Sequence, residues 1–211
     1  TANIRYHFSA AHVKTIYDAH TPEGALLKHQ AVCGGIAKAM LLMLQKLGVF
    51  SLVVLGESEI NREHVGHAWN IVRLDKDYYH IDVTWDLQEI NHFAKRSHIY
   101  MNLDDDSMIM NHVWELQDYP SCSSRAENYY VRKKHYFRSM RSFELYIQKC
   151  LDEREAHIDI RFEDTLNIPE DGGEMLAEKI VKVANTVGSS IRLAYAYYAE
   201  AWVFQANIEY L

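Results

Sequence analysis

A cysteine, a histidine and an aspartate follow one another along this sequence in an order that suits nucleophilic catalysis. Cys33 lies where an extended stretch gives way to the helical pattern CGGIAKAMLLMLQKLG. A thiol at a helix start is stabilised as thiolate by the positive end of the helix dipole. Gly34 and Gly35 let a substrate approach closely, and the free N–H groups of the first turn can receive an oxyanion. A lone cysteine is more often a buried packing residue, so the assignment depends on its partners.

Two segments downstream predict neighbouring strands. Residues 66–74 (GHAWNIVRL) and 78–84 (YYHIDVT) are rich in β-branched and aromatic residues and flank a turn at Asp75-Lys76. A two-residue turn pairs Leu74 with Asp77, and a four-residue loop keeps the same pairing. A three-residue loop without a bulge would put the histidine and the aspartate on opposite faces.

His67 and Asp82 share a face if the turn has an even length. The pairing places Trp69 opposite Asp82, so His67 lies diagonal to Asp82. Aspartate is rare inside strands, which indicates a paired, partly buried carboxylate, whereas a lone histidine is more often a hydrogen-bonded core residue. Together with Cys33 they supply a nucleophile, a base and a group that holds the imidazole tautomer. We therefore predict Cys33, His67 and Asp82 as catalytic residues.

Four residues near this set are candidates for substrate binding. Gly34 leaves room beside the cysteine, and Gln30 could help to hold an oxyanion, although an exposed polar role is more common for glutamine. Trp69 and Trp85 flank the histidine and the aspartate. Core packing is the favoured role for both indoles, and walls of an acyl-substrate channel are the alternative.

The remaining pattern predicts an α+β fold with a small C-terminal unit. The helix after Cys33 is apolar nearly all round, which predicts a buried central helix, and residues 50–55 predict a buried strand. Residues 56–65 read as a polar loop, and residues 85–136 as irregular cover with a short helix near Asp104. The tail alternates helical and strand patterns at 142–155, 157–162, 174–187, 191–198 and 202–210. We predict a catalytic core at 1–138 and a small α+β unit at 139–211.

Composition excludes some classes of function. The net charge of -7 over 211 residues argues against nucleic acid as a main partner. No apolar run reaches the length of a membrane span. Cys33, Cys122 and Cys150 form no even disulfide framework, which favours a reducing compartment such as the cytoplasm. The start at Thr1 indicates a piece trimmed from a longer protein, so the compartment stays open.

The motifs AVCGGIAKAMLLMLQKLGV, GHAWNIV and YYHIDVTWD resemble the transglutaminase-like superfamily, in its bacterial branch related to cysteine peptidases. The likeness covers residues 24–122, including GALLKHQAVC and IYMNLDDDSMIMNHVW, and is weaker up to residue 165. It matches the family's nucleophile, histidine and aspartate to Cys33, His67 and Asp82. It implies a papain-like α+β core, in which a central helix carrying the cysteine packs on an antiparallel sheet. Ile36 departs from the aromatic residue common in the family.

Two other interpretations compete with this one. A metal site would combine the H-x-x-H pair His64 and His67 with His80, Asp82 and Cys33. That spacing does not converge at the start of a strand, and no second tight ligand pair is visible, so we expect no metal and no cofactor. A non-enzymatic binding module of the same fold is disfavoured because all three catalytic residues are present.

The reaction within the family stays open. Such a triad can hydrolyse a peptide, isopeptide or amide bond, deamidate glutamine, or pass the acyl group to an amine as a protein-glutamine transglutaminase does. Transfer to an amine needs a site that excludes water, and the sequence reveals none. The resemblance to the peptidase-like branch favours hydrolysis of a protein or peptide substrate.

Overall fold

The computed structural model describes residues 4–12, 17–60, 62–88 and 97–211. Within these ranges the chain divides into two compact units. The first comprises the described residues up to Tyr129, and the second is Tyr130–Leu211. Residues 89–96, which fall in the segment predicted as irregular cover, lie outside the described residues.

The first unit contains a long helix, a sheet and several short elements. In chain order these are β1 (Arg5–Tyr6), α1 (Phe8–His12), a 3-10 turn (Tyr17–His20), α2 (Pro22–Leu26), β2 (Gln30–Ala31), α3 (Cys33–Lys46), β3 (Ser51–Ile60), β4 (Glu63–Leu74), β5 (Asp77–Ile81), α4 (Val83–Gln88), β6 (Met101–Leu103), α5 (Asp105–Met108), β7 (His112–Val113) and a 3-10 turn (Leu116–Asp118).

A five-stranded antiparallel sheet in the order β6-β5-β4-β3-β7 is the centre of this unit, and β1 and β2 form a separate parallel pair. Helix α3 packs on the sheet because Met40 and Leu44 lie against Val72 and Ile81. The Asn70 side-chain amide donates to a backbone carbonyl oxygen of α3 at 3.1 Å, which fixes the helix against β4. The expected α+β class, with a cysteine-bearing helix on an antiparallel sheet, is confirmed.

Most of the segment predicted as a polar loop at 56–65 is strand instead, because β3 continues to Ile60 and β4 begins at Glu63. Strands β3 and β4 continue to pair through it, with Gly56 opposite His67. Polar residues such as Glu57 belong to a strand here because this end of the hairpin is exposed to solvent. Gly56 allows the close packing around it, since a Cβ atom there would lie 2.3 Å from the Val113 carbonyl oxygen and 2.8 Å from the Trp69 indole.

Helix α3 is buried on one side only. Ile36 and Ala39 are in the core, but Leu42 is 40% exposed, so the prediction of burial nearly all round is wrong for the second half of the helix. An apolar residue type alone does not show that a position is buried, because folded proteins also expose many apolar atoms.

In the second unit, helices and strands alternate as its sequence pattern predicts. Its elements are α6 (Tyr129–Lys133), which begins at the division, β8 (Tyr136–Phe137), α7 (Met140–Asp152), β9 (His157–Phe162), a 3-10 turn (Asp164–Leu166), α8 (Gly173–Thr186), β10 (Ile191–Tyr198), a 3-10 turn (Ala199–Ala201) and β11 (Val203–Tyr210). The sheet order is β10-β11-β9-β8, with β8 and β9 parallel. Helices α7 and α8 bury one cluster on it that includes Phe143, Ile147, Phe162 and Ile180.

The predicted helices and strands of the tail agree with the structure to within a few residues, because their apolar periodicity is strong. The compact unit begins before residue 138, since β8 already pairs with β9 and places Phe137 opposite Phe162. The domain division at 1–138 and 139–211 stays a prediction. No helix among the described residues has the length and apolar character needed to cross a membrane.

Candidate active site

Cys33 is the first residue of α3 and is half-buried. The preceding residue, Val32, offers no side-chain hydrogen bond to the helix start. Burial opposes ionisation of the thiol, but the hydrogen bond and charge of His67, with the backbone N–H groups of Ala68 and Gly34, hold the pKa of Cys33 below its ordinary value. These contacts stabilise the thiolate, as the position at a helix start predicts.

His67 is placed against Asp82 by the register of the β4–β5 hairpin. The turn has two residues, because Leu74 lies opposite Asp77, and this is the even length that a shared face requires. His67 Nε2 lies 2.6 Å from Asp82 Oδ2. Burial lowers the pKa of His67, but the charge and hydrogen bond of Asp82 raise it to about 10. Because Nε2 faces the Asp82 carboxylate, Nδ1 is the ring nitrogen that remains to interact with Cys33.

Asp82 lies between strand β5 and helix α4, immediately before the first residue of the helix. Strand β5 ends one residue earlier, and Asp82 Oδ1 accepts hydrogen bonds from the backbone N–H groups of Thr84 at 2.8 Å and Trp85 at 3.1 Å. The strand predicted through residue 84 is therefore wrong at its end, because an aspartate cap outweighs local β propensity. Burial opposes ionisation, but the charge of His67 and hydrogen bonds from His112 and His67 hold the pKa of Asp82 far below its usual range.

A second histidine shares the same carboxylate oxygen. His112 on β7 is fully buried, and its Nε2 lies 3.1 Å from Asp82 Oδ2. Its Nδ1 lies 2.7 Å from the Asn111 side chain, which in turn contacts the Tyr100 hydroxyl at 2.7 Å. Sequence reasoning gave His112 no role. A histidine beside an asparagine in an otherwise apolar stretch was the only available signal, and it does not indicate a partner.

Tyr6 reaches the cysteine from the N-terminal part of the chain. Burial and then the charge of Cys33 raise the pKa of Tyr6 to about 12, and its hydroxyl interacts with both the thiol and the backbone N–H of Cys33. The parallel pairing of β1 and β2, with Tyr6 opposite Ala31, holds the phenol there. Strands of two residues have no sequence signature, so the sequence could not identify this neighbour.

The four predicted substrate residues have different surroundings. A Cβ on Gly34 would meet nothing within 4 Å, so space beside the helix start is open. Trp85 is half-buried, with its ring centroid 6.3 Å from that of His67. Trp69 is only 1% exposed and so packs in the core, the favoured alternative. Gln30 is exposed on β2, and among the described residues no hydrogen bond joins it to the candidate triad.

Only part of the alternative metal site is brought together: His67 lies beside Asp82 and Cys33, whereas His64 and His80 have other partners. His80 instead donates from Nε2 to Asp105 Oδ1 at 2.9 Å and accepts from the Trp69 indole N–H at 3.0 Å. His64 is exposed and lies near Glu57. Two groups in the described ranges have ligand atoms within 4.8 Å of one another: His67, Asp82 and His112, and separately His80, Asp105 and Cys122.

Asp86 on α4 is a further half-buried acidic residue near the site. Its Oδ1 accepts from the Ser97 hydroxyl at 2.9 Å and the Tyr100 backbone N–H at 3.0 Å. Burial is the main cause that raises the pKa of Asp86 from 3.8 to about 7, and the negative charge of Asp82 adds to it. Between these two values the folded protein keeps a proton that the unfolded chain has released, so stability falls as the pH rises through this window.

Replacing Asp86 with Asn should remove that loss of stability, because the amide cannot ionise and its oxygen can still accept both hydrogen bonds. We expect the free energy of unfolding of the wild type to fall by roughly 2 to 4 kcal/mol relative to Asp86→Asn between about pH 4.5 and pH 8. Urea denaturation at both pH values measures it. Asp106→Asn is the matched control, since the Asp106 side chain is 85% exposed. Parallel changes in wild type and Asp86→Asn would contradict the assignment.

Comparison with known proteins identifies the family of this chain. Residues 1–113 match the family described as a transglutaminase-like domain, which is more than half of the 211 residues, and the chain belongs to this family. A solved structure described as the crystal structure of a TGase has 22% sequence identity and a TM-score of 0.36, over 44% of this chain and 25% of that chain. The chain thus spans about a quarter of that protein's length. Comparison with curated proteins finds no match. The resemblance seen in the sequence motifs is confirmed at the level of the family.

Proposed function

We propose that this chain is a cysteine-dependent acyl-transfer enzyme that hydrolyses a peptide, isopeptide or amide bond. The observation that carries the proposal is the series Cys33, His67 and Asp82, in which a carboxylate fixes one imidazole nitrogen and the thiol interacts with the same ring. A thiolate paired with an imidazolium is the resting form of an activated cysteine nucleophile.

The first half of the reaction forms a thioester. The Cys33 sulfur attacks the carbonyl carbon of the substrate, and the carbonyl oxygen takes up the negative charge. The backbone N–H of Cys33 and the Tyr6 hydroxyl, which already interact, lie beside the sulfur and are the donors suited to that oxygen. His67 gives the proton on Nδ1 to the leaving nitrogen, the C–N bond breaks, and the amine departs.

The second half releases the acyl group. Water loses a proton to His67 Nδ1 and attacks the thioester carbon, after which the C–S bond breaks and a carboxylic acid leaves. A primary amine in place of water gives transamidation, and a glutamine side chain with water gives deamidation. The open space beside Gly34 and the half-buried Trp85 form the side from which an acyl substrate can approach.

The experiment is a peptide-library digestion read by mass spectrometry. The purified chain is incubated with the library, with and without a biotinylated primary alkylamine, and Cys33→Ala is the control for contaminating activity. We expect new peptide termini or cleaved isopeptides that appear only with the wild type. Cys33-dependent incorporation of the amine would instead identify a protein-glutamine transglutaminase, and conversion of glutamine to glutamate a deamidase.

Equal product patterns for the wild type and Cys33→Ala would contradict an enzymatic role. The chain would then be a non-catalytic binding module of the same fold. Because Cys33 is half-buried and small, we expect its replacement with Ala to leave folding intact, and circular dichroism of the variant checks this.

A further inference from the structure

The carboxylate of Asp82 is held by four donors, of which the candidate triad accounts for one. Oδ1 accepts from two backbone N–H groups at the start of α4. Oδ2 faces His67 Nε2 at 2.6 Å and His112 Nε2 at 3.1 Å. Both imidazoles therefore point the same type of nitrogen at one oxygen, although only His67 interacts with Cys33.

The Asp82 carboxylate determines that His112 carries a hydrogen on the ring nitrogen that faces it. An ionised carboxylate can only accept, so His112 Nε2 must carry a hydrogen. Burial is the main cause that lowers the pKa of His112, while the hydrogen bond and charge of Asp82 oppose it. His112 Nδ1 faces the Asn111 side-chain oxygen at 2.7 Å, so this ring nitrogen also has an acceptor beside it. The Asn111 side-chain NH2 group donates to the Tyr100 hydroxyl oxygen at 2.7 Å, which holds the amide in this orientation.

We propose that His112 is a positioning residue, a second hydrogen-bond donor that holds Asp82 ionised and in one orientation so that Asp82 can orient His67. This rests on the proposed function. Because Asp82 is fully buried, one lone pair of Oδ2 has no partner without His112, and the carboxylate can rotate or take up a proton. Either change weakens the support of the His67 imidazolium and therefore of the Cys33 thiolate.

The ionisable groups around Asp82 come from five elements, so a pH profile reports on all of them. They are Tyr6 on β1, Cys33 on α3, His67 on β4, Asp86 on α4 and His112 on β7, with His80 on β5 also near His112. A variant that changes one donor to Asp82, and no other group, isolates its effect.

The test compares His112→Leu with His112→Gln by the rate of Cys33 alkylation with iodoacetamide across the pH range. Leucine fills the space with no donor, whereas the glutamine amide nitrogen can reach the position of Nε2 and still donate. We expect His112→Leu to slow alkylation about 10-fold near pH 6 and to move the acid limb of the profile to higher pH, because Asp82 takes up a proton more easily. His112→Gln should stay within about 2-fold of the wild type.

A wild-type rate and profile in His112→Leu would overturn the proposal, and so would equal losses in the leucine and glutamine variants. If His112→Leu fails to fold, a measurement on the wild-type protein alone tests the proposal. Its imidazole ¹⁵N chemical shifts should show a hydrogen on His112 Nε2 from about pH 5 to pH 8. An Nε2 without a hydrogen in that range would also overturn it. These readouts need no substrate, so absence of Cys33-dependent turnover would count against the proposed function and leave the role of His112 to be judged separately.

Discussion

Iodoacetamide should alkylate Cys33 in the native protein on the order of 100 times faster than either of the other two cysteines. The pKa of Cys33 is held below its ordinary value by His67 against the effect of burial. Burial raises the pKa of Cys122 and Cys150, and both side chains are in the interior. Peptide mass spectrometry of a time course at neutral pH gives the three rates.

Two histidine variants give this prediction its control. His67→Ala removes the ion-pair partner of the thiolate, so alkylation of Cys33 near pH 6 should fall by about 10- to 100-fold and its midpoint should move to higher pH. His64→Ala changes an exposed histidine on the same strand and should leave the rate unchanged. Faster alkylation of Cys122 or Cys150, or equal effects of the two variants, would refute the assignment of the nucleophile.

Asp82→Asn should keep the fold and lower turnover by roughly 10³- to 10⁴-fold. The amide oxygen has to face the backbone N–H groups of Thr84 and Trp85, so its NH2 group takes the place of Oδ2. That NH2 group opposes a donating Nε2 on His67, which forces the ring to carry its proton on Nδ1 instead. In that tautomer Nδ1 cannot accept a proton from Cys33 or from water.

The second histidine–carboxylate pair provides a matched control. Asp105→Asn makes the same chemical change beside His80, which has no contact with Cys33 in the described structure, and turnover should stay within about 3-fold of the wild type. The measurement is the rate of conversion of a peptide found in the library digestion. Similar losses in Asp82→Asn and Asp105→Asn would mean that stability, and not the His67 tautomer, controls turnover.

The candidate triad could be predicted because its geometry follows from local features. A helix start fixes Cys33, and one two-residue turn fixes the pairing that brings His67 and Asp82 together. Strands alternate their side chains with a period of two, so a known turn length is sufficient to choose the face. The family resemblance added the order of the motifs and the fold.

The rest of the site depends on contacts between distant segments. Tyr6 is placed by the two-residue pairing of β1 with β2, and His112 by that of β7 with β3. Elements this short carry no periodicity, and their partners are decided by tertiary packing. The start of α4 could not be predicted for another reason. In the sequence Asp82 looks like an unusual strand residue, and only its hydrogen bonds to the first turn of α4 show that it caps a helix.

The double use of Asp82 has a consequence for how this family can evolve. The carboxylate ends a strand, caps α4 and satisfies two buried imidazoles, so its loss costs folding stability as well as activity. Cys33 has no comparable structural role. A lineage released from selection for catalysis should therefore discard the thiol early and retain the aspartate for a long time. Under the proposed function, an aspartate retained among distant relatives would then indicate a folded domain, and a retained cysteine would indicate a catalytic chain.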